Sequence, residues 1–309
     1  MKGVEKMRWS PKKILCTSDF SDLANDAIPY GIALANEYGA KLYLCHVIDL
    51  TSVAMYGEAI TAFEEQQKRM RTYALDQLSQ LMAGKNVDWE PLIATGHVAD
   101  TIAHLAAEND VELVVSANRG RSGLKRLILG SVTGRLMRVL PCPILIVRSP
   151  GPQTLVEQGI RYRRILVGCD FSSDSALAFE YGLSLAQEFQ AEFHLAHVIE
   201  PAAYKDLLKS AAQTGGMDER DLREQLNEKL IQMVPEEAHS CCSAKTVLLA
   251  GQPHEELTKY ALVQDVDLIV MGVRGRSLVE NLFVGSTTAR TVRDAPCPVL
   301  SVRPATEEG

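Results

Sequence analysis

The amino-acid sequence contains the same series of segments twice, and this repeat limits the possible folds more than any other feature. The segments ILCTSDFS, from residue 14, and HVID, from residue 46, both return 151 positions later in closely similar form. The segment RGRS, which begins at Arg119, returns at Arg274 after 155 positions. Because the offset between matching segments grows from 151 to 155 positions, an insertion lies between about residue 50 and residue 95, in a region that we expect to be at the surface.

A period of this length indicates a duplicated domain, because solenoid repeats are only about 20–50 residues long. Each copy has about 140 residues, a typical size for one domain. We predict a first domain over residues 9–149, a linker rich in proline and glycine over 150–161, and a second domain over 162–304. The 309 residues are 46% hydrophobic and 23% charged, as in ordinary globular proteins.

Short apolar strand patterns alternate with helical patterns in both copies. Strands are predicted at residues 13–17, 41–47, 87–94, 111–116 and 144–147 of the first copy, and at 164–168, 192–198, 244–249, 268–271 and 299–302 of the second. Helices are predicted between them, the first from Ser21 to about Tyr38, where Gly39 can end it. This alternation implies an α/β fold with a parallel sheet, whose ligand sites lie beyond the carboxyl ends of the strands.

The composition excludes several other classes of protein. Seven scattered cysteines form no C-x-x-C pair, so we expect a reduced, cytoplasmic protein rather than a disulfide framework or a zinc site. The net charge of −7 argues against a nucleic-acid partner. No apolar run approaches the roughly 20 residues that span a bilayer, and the first residues do not resemble a signal peptide, so no membrane partner is expected.

A glycine-rich loop follows the fourth predicted strand of the second copy. Gly272, Gly275 and the pair Gly285-Ser286 form the pattern G-x2-G-x9-G-S. Glycines let backbone N–H groups approach an oxyanion closely. Gly285-Ser286 opens a predicted helix, whose first N–H groups are unpaired and favour negative charge. The loop therefore suits a di- or triphosphate, although a simple turn followed by a helix cap would have the same pattern.

Taken together and in order, these motifs resemble the universal stress protein family, over nearly the whole length of both copies. The resemblance rests on the strand-one segment ending at Asp19, the HVID segment, Gly96, the glycine loop and the segment PCPILIV from Pro141, with their equivalents in the second copy. It implies two tandem, doubly wound, five-stranded parallel-sheet α/β domains that are Rossmann-like, of the adenine nucleotide alpha hydrolase type, with strand order 3-2-1-4-5. It also implies intramolecular pairing of the two domains about a pseudo-twofold axis near their last strands, with a homodimer as a further option.

The resemblance also implies an adenine nucleotide as the ligand, since family members with this loop are the ATP-binding type. In the second copy Asp170 would lie near the ribose and adenine of ATP, ADP or AMP, and Val198 would pack on the adenine. The ribose and phosphates would contact Gly272, Gly275, Gly285, Ser286 and Thr287. The equivalent positions of the first copy are Asp19, Val47, Ala117, Gly120, Gly130, Ser131 and Val132.

The two loops differ at their first position, which is Ala117 in one copy and Gly272 in the other. The methyl group of alanine could crowd the ribose or exclude a backbone with a positive φ. If the position required a positive φ, alanine would cost on the order of 1 kcal/mol, or about fivefold in affinity. The first loop is more basic, with Arg119, Arg121, Lys125 and Arg126 against Arg274 and Arg276. We therefore expect a weaker first site for AMP, with a smaller deficit for ATP.

Other chemistry has less support in the sequence. There is no P-loop and no G-x-G-x-x-G motif, and His46 and His197 are expected to be structural. Asp19 and Asp170 would be the carboxylates near any Mg²⁺ carried by the nucleotide, but hydrolysis also needs a positioned base and a metal clamp. Three functions stay open: a nucleotide-dependent stress sensor or regulator, an interaction protein with vestigial sites, and a slow ATPase.

Overall fold

The structure is a computed structural model that describes residues 8–49, 60–118, 130–148, 159–201, 219–236, 238, 242–275 and 284–304. It divides into two compact units. The first domain is Ser10–Ile160, and the second domain combines Arg161–Pro304 with the start of the chain, of which Arg8 and Trp9 are described. Most of the predicted linker, residues 150–158, lies outside the described residues.

The first domain contains a parallel sheet in the order β3-β2-β1-β4-β5. Its strands are β1 (Lys13–Thr17), β2 (Lys41–Asp49), β3 (Trp89–Gly96), β4 (Leu113–Ala117) and β5 (Ile144–Val147). This confirms the predicted α/β class and the 3-2-1-4-5 order.

The second domain has the same relative order, β8-β7-β6-β9-β10, with all neighbouring pairs parallel. Its strands are β6 (Arg164–Gly168), β7 (Glu192–Ile199), β8 (Ala244–Ala250), β9 (Leu268–Gly272) and β10 (Val299–Val302). All strand ends in both domains lie within two residues of their predicted positions.

Helices connect the strands and cover the sheets. They are α1 (Asp22–Asn25), α2 (Ala27–Tyr38), α3 (Ile60–Met82), α4 (Val98–Glu108) and α5 (Ser131–Val139) in the first domain, and α6 (Ser173–Phe189), α7 (Glu219–Met233), α8 (Pro253–Val263) and α9 (Ser286–Asp294) in the second. The central strands are buried along their length, β4 and β9 completely, which explains their uninterrupted apolar sequences.

The single helix predicted from Ser21 to Tyr38 is wrong in one respect, because α1 ends at Asn25 and α2 begins at Ala27. Pro29 has no N–H, and its ring clashes with the carbonyl group four residues earlier, that of Asn25. In the second domain the equivalent residue is Glu180, and α6 runs unbroken. The predicted ends are confirmed: the Ser21 side chain caps α1, and Gly39 ends α2 in the left-handed conformation, with φ 56°.

The cysteines that the structure describes form no disulfide, and most of them are buried. Burial raises the pKa of Cys45 and of Cys142 to about 12, so their thiolates are disfavoured at neutral pH. Cys241 lies outside the described residues. Among the residues described, no helix is long and apolar enough to cross a membrane.

The start of the chain packs on helix α6 of the second domain. The backbone N–H of Trp9 donates to the Ser184 hydroxyl at 2.8 Å, and the Trp9 ring meets the edge of Tyr181 at a centroid distance of 5.0 Å. Arg8 adds an ion pair with Glu188 at 2.9 Å, on an arginine side chain that is 79% exposed. The aromatic contact therefore contributes more to stability than the exposed ion pair.

We expect Trp9→Ala to lower the free energy of unfolding of the second domain by about 1–3 kcal/mol, because it removes an aromatic contact and buried apolar area. Urea unfolding followed by circular dichroism measures this loss. In the variant, fluorescence comes from Trp89 in β3 and reports on the first domain, whose transition should not move. The control Arg8→Ala should cost less than about 1 kcal/mol; equal losses in the two variants would contradict the prediction.

Candidate functional site

Each domain has a cavity beyond the carboxyl ends of its strands. The cavity of the first domain measures about 540 Å³ and that of the second about 510 Å³. Both volumes fall within the roughly 300–1,000 Å³ typical of small-molecule sites. A long helix contributes to each cavity wall, α3 through Tyr73 in the first domain and α7 through Leu226 in the second. We call these cavities the first site and the second site.

The structure brings the predicted ligand-binding residues together around these cavities. The second site is lined by Asp170, Val198, Gly272, Gly275, Gly285, Ser286 and Thr287. The first site is lined by Asp19, Val47, Ala117, Gly130, Ser131 and Val132. Gly120 and the loop cations Arg119, Arg121, Lys125, Arg126 and Arg276 lie outside the described residues.

An aspartate turn follows the first strand of each domain. In the first domain, Asp19 Oδ1 accepts hydrogen bonds from the backbone N–H and the hydroxyl of Ser21, at 2.9 and 2.5 Å. The residue between them, Phe20, has a φ of 67°, which is uncommon for a bulky side chain. Asp170 makes the same two bonds at 3.0 and 2.5 Å, and Phe171 has a φ of 63°. Both domains thus hold a strained turn at the cavity, a feature that the sequence did not reveal.

One histidine in each domain connects the second strand to this turn. His46 Nδ1 lies 2.9 Å from the carbonyl oxygen of Ser18, and His197 Nδ1 lies 2.7 Å from that of Cys169. A carbonyl oxygen only accepts, so Nδ1 carries the proton and donates it. The His46 ring also stacks on Phe20 at 4.0 Å. These contacts support the structural role expected for the histidines, which also line the cavities.

The start of a helix opens into each cavity. In the second domain α9 begins at Ser286 directly after Gly285, and the Thr288 hydroxyl donates to the carbonyl oxygen of Gly272 at 2.8 Å. In the first domain Thr133 makes the same bond from α5 to the end of β4, at 3.1 Å. This bond fixes the first helical turn beside the strand, and the N–H groups of that turn have no partner within their own helix. Such a helix end is suited to binding an anion.

The second site contains a buried ion pair that the sequence analysis missed. Asp174, which is 2% exposed, accepts hydrogen bonds from the backbone N–H and the guanidinium of Arg274, at 3.0–3.1 Å. Arg303 lies close to this pair: its burial, and next the charge of Arg274, lower the pKa of Arg303. In the sequence, Asp174 looks like any acidic residue in the first turn of a helix. The equivalent residue of the first domain is Leu23.

A positive φ is not the reason for glycine at position 272. Gly272 is not among the described residues with a positive φ. Instead, a Cβ at Gly272 would lie 2.7 Å from the carbonyl carbon and the Cβ of Asp174, so glycine is needed because α6 begins directly against it. A Cβ at Gly275 would lie 2.8 Å from Asp170 Oδ2.

The floors of the two cavities also differ in chemistry. In the first site the hydroxyls of Thr17 and Ser116, from β1 and β4, are 3.0 Å apart. In the second site the same two strand ends present Gly168 and Met271. The sequence analysis missed the hydroxyl pair because both residues lie within apolar strand patterns.

Metal-binding groups are sparse in the part of the chain that the structure describes. There, no cluster of three or more His, Cys, Asp or Glu side chains could hold a metal ion. Asp19 lines the first cavity and Asp170 lines the second, each in the turn that both copies contain. Any Mg²⁺ at these sites therefore stays a prediction that depends on a bound nucleotide.

The fold and the two cavities define a tandem α/β protein with a cavity beyond the carboxyl ends of the strands in each domain. The model of the universal stress protein family matches residues 11–148 and again residues 161–303. The chain therefore belongs to the universal stress protein family.

Known members of the family match the whole chain or a part of it. Universal stress protein Slr1230 of Synechocystis is 25% identical, with 94% of this chain and 100% of that protein covered. Universal stress protein YxiE of Bacillus subtilis is 33% identical over 44% of this chain and 98% of its own length. The crystal structure of a universal stress protein from Archaeoglobus fulgidus covers 97% of this chain and 98% of its own, with a TM-score of 0.68 and 21% identity. The tandem arrangement is thus shared with other proteins.

The glycine contacts predict unequal effects for the two exchanges at the first loop position. Gly272→Ala should lower the free energy of unfolding of the second domain by about 1–3 kcal/mol, because the methyl group would displace the start of α6. The matched exchange Ala117→Gly should lower that of the first domain by less than about 1 kcal/mol, since Ala117, which is 5% exposed, is already accommodated and only one methyl group is removed. Urea unfolding followed by circular dichroism measures both; losses of equal size would show that helix packing is not the reason.

Proposed function

We propose that this protein binds an adenine nucleotide (ATP, ADP or AMP) in each domain and acts as a nucleotide-dependent sensor or regulator in a cytoplasmic stress response. The observation that carries the proposal is the start of helix α9, which opens into the second site at the end of the glycine loop. The corresponding start of α5 opens into the first site.

The phosphates would bind at these helix starts. In the second site the backbone N–H groups that follow Gly285, together with the hydroxyls of Ser286 and Thr287, would donate hydrogen bonds to phosphate oxygens. The Thr288 hydroxyl is already bonded to the strand end and would hold the helix in position. Gly275 would leave room for the phosphates near the loop backbone.

The nucleoside would occupy the opposite end of the cavity. Val198 and Ile199, at the end of β7, offer an apolar wall for adenine. Asp170 and Glu200 line the same end and would accept hydrogen bonds from the ribose hydroxyls. In the first site, Val47, Ile48, Asp19 and Asp49 have the same arrangement.

Regulation would follow from the difference between the two sites. One floor carries two hydroxyls and the other a methionine, so the sites would differ in affinity for the same nucleotide. As the nucleotide concentration rises, the tighter site would fill first and the weaker site second. A bound nucleotide would favour the state of domain pairing, or of binding to a protein partner, that has the higher nucleotide affinity. The difference in nucleotide affinity between the two states sets the size of this shift.

The test is a calorimetric titration of the purified protein with ATP, ADP and AMP. Acid extraction first removes and identifies any nucleotide that co-purifies. We expect two binding sites per chain, which hold one to two nucleotides because the first site is the weaker one. The absence of both binding heat and co-purified nucleotide would refute nucleotide binding and favour the alternative of an interaction protein with vestigial sites.

A matched pair of variants locates the binding. Gly130→Asp and Gly285→Asp each place a carboxylate at the residue before a helix start, where it would repel phosphate. Aspartate is a favoured N-cap residue, and both glycines have suitable backbone angles, with φ near −55° and ψ near 137°. We expect each variant to lose one site while thermal unfolding shows that it still folds. Binding that survives in the double variant would contradict the proposed phosphate position.

A further inference from the structure

In the second domain, a buried carboxylate holds one residue of the glycine loop by both its backbone and its side chain. Asp174 Oδ2 accepts from the backbone N–H of Arg274 at 3.1 Å and from its Nε at 3.0 Å. Asp174 Oδ1 accepts from Nη2 of the same guanidinium at 3.0 Å. Paired bonds between an arginine and a carboxylate are stronger and more directional than bonds between neutral groups. The contact therefore restrains the path of the loop as well as one side chain.

This contact lies near the start of the loop. Arg274 stands between Gly272, which α6 touches so closely that a Cβ would clash with Asp174, and Gly275, which faces Asp170. The following helix start is joined to the same segment, because the N–H of Gly285 donates to the carbonyl oxygen of Val273 at 2.8 Å. Restraining Arg274 thus restrains the segment 272–275, to which the proposed phosphate-binding helix start is hydrogen-bonded.

The first domain lacks the acceptor. Leu23 occupies the position of Asp174, and an aliphatic side chain cannot accept a hydrogen bond. The loop position that α6 touches in the second domain is Ala117 in the first.

We propose that the Asp174–Arg274 pair is a clamp that holds the first residues of the glycine loop of the second site, 272–275, in their nucleotide-binding form before the nucleotide arrives. This inference rests on the proposed function. Arg274 lines the cavity whereas Asp174 does not, so Asp174 is a positioning residue that acts through Arg274. Binding to a loop that is already ordered saves the cost of ordering it.

If Asp174 positions the loop, its removal should weaken nucleotide binding. If Asp174 acts only through its charge, its removal should tighten nucleotide binding. A carboxylate close to a phosphate group opposes its binding, so removal of that charge alone would tighten ATP binding, and more so than AMP binding. Loss of a clamp would instead weaken the binding of every phosphate-containing ligand. It would leave adenosine unaffected, because adenosine has no phosphate for the loop to hold.

The experiment compares Asp174→Asn with its parent in a background where Gly130→Asp disables the first site. We expect affinity for ATP and for AMP at the second site to fall about tenfold, and affinity for adenosine to change less than about twofold. Hydrogen–deuterium exchange without ligand gives a second readout. Amide exchange of the segment 271–275 should become faster in the variant, since the N–H of Arg274 loses its charged acceptor.

The control is Asp294→Asn, which removes the same charge from a bidentate aspartate–arginine pair of the same domain, with Arg293 at 2.7 and 2.9 Å, at the far end of α9. It should leave all three affinities unchanged. Unchanged or tighter ATP binding in Asp174→Asn, or an equal loss for adenosine, would overturn the clamp. If the parent itself binds no nucleotide, the proposed function fails, and unchanged exchange of segment 271–275 would then overturn the clamp separately.

Discussion

The pairing of β1 with β2 on one side and β4 on the other is the constraint on which the rest of each domain depends. The register joins Ile14 to Leu42 and to Leu113, so the chain leaves β1 towards one edge of the sheet and later returns to its other side. Right-handed crossovers then place the connecting helices on opposite faces. The loops after β1 and β4 separate at this point and leave a crevice. In the second domain β6 has the same position between β7 and β9.

A small set of local contacts shapes the cavity in each crevice. The aspartate–serine turn, the phenylalanine with positive φ and the histidine that reaches back to the turn are the same in both domains. They hold the wall formed by the end of the first strand. The two sites diverge where the copies carry different residues: Leu23 or Asp174 at the start of the following helix, and Ser116 or Met271 in the cavity floor. A common scaffold thus supports two sites of different chemistry.

Most of the secondary structure could be predicted because the apolar strands are buried on both faces and stand out as short continuous runs. The exact ends could not, since the last residues of β2 and β3 are fixed by pairing with each other over the whole register from Leu42 to Asp49. The break between α1 and α2 was predictable in principle from Pro29, which was overlooked. Gly120 and the basic residues of the first loop stay as predicted from the sequence alone, because they lie outside the described residues.

The sequence by itself determined the duplication and the α/β class, because the repeat and the alternation of strand and helix patterns are local features of the chain. The rule that ligands bind beyond the carboxyl ends of parallel strands located the loops, and the resemblance to the family supplied the individual residues expected there. Only the tertiary structure decided why position 272 requires glycine, which residue holds Arg274, and what the cavity floors contain. Asp174 and Arg274 are 100 residues apart, and Thr17 and Ser116 are 99 apart. Contacts over such distances in the chain exist only once the sheet has brought the strand ends together, so no local pattern could show them.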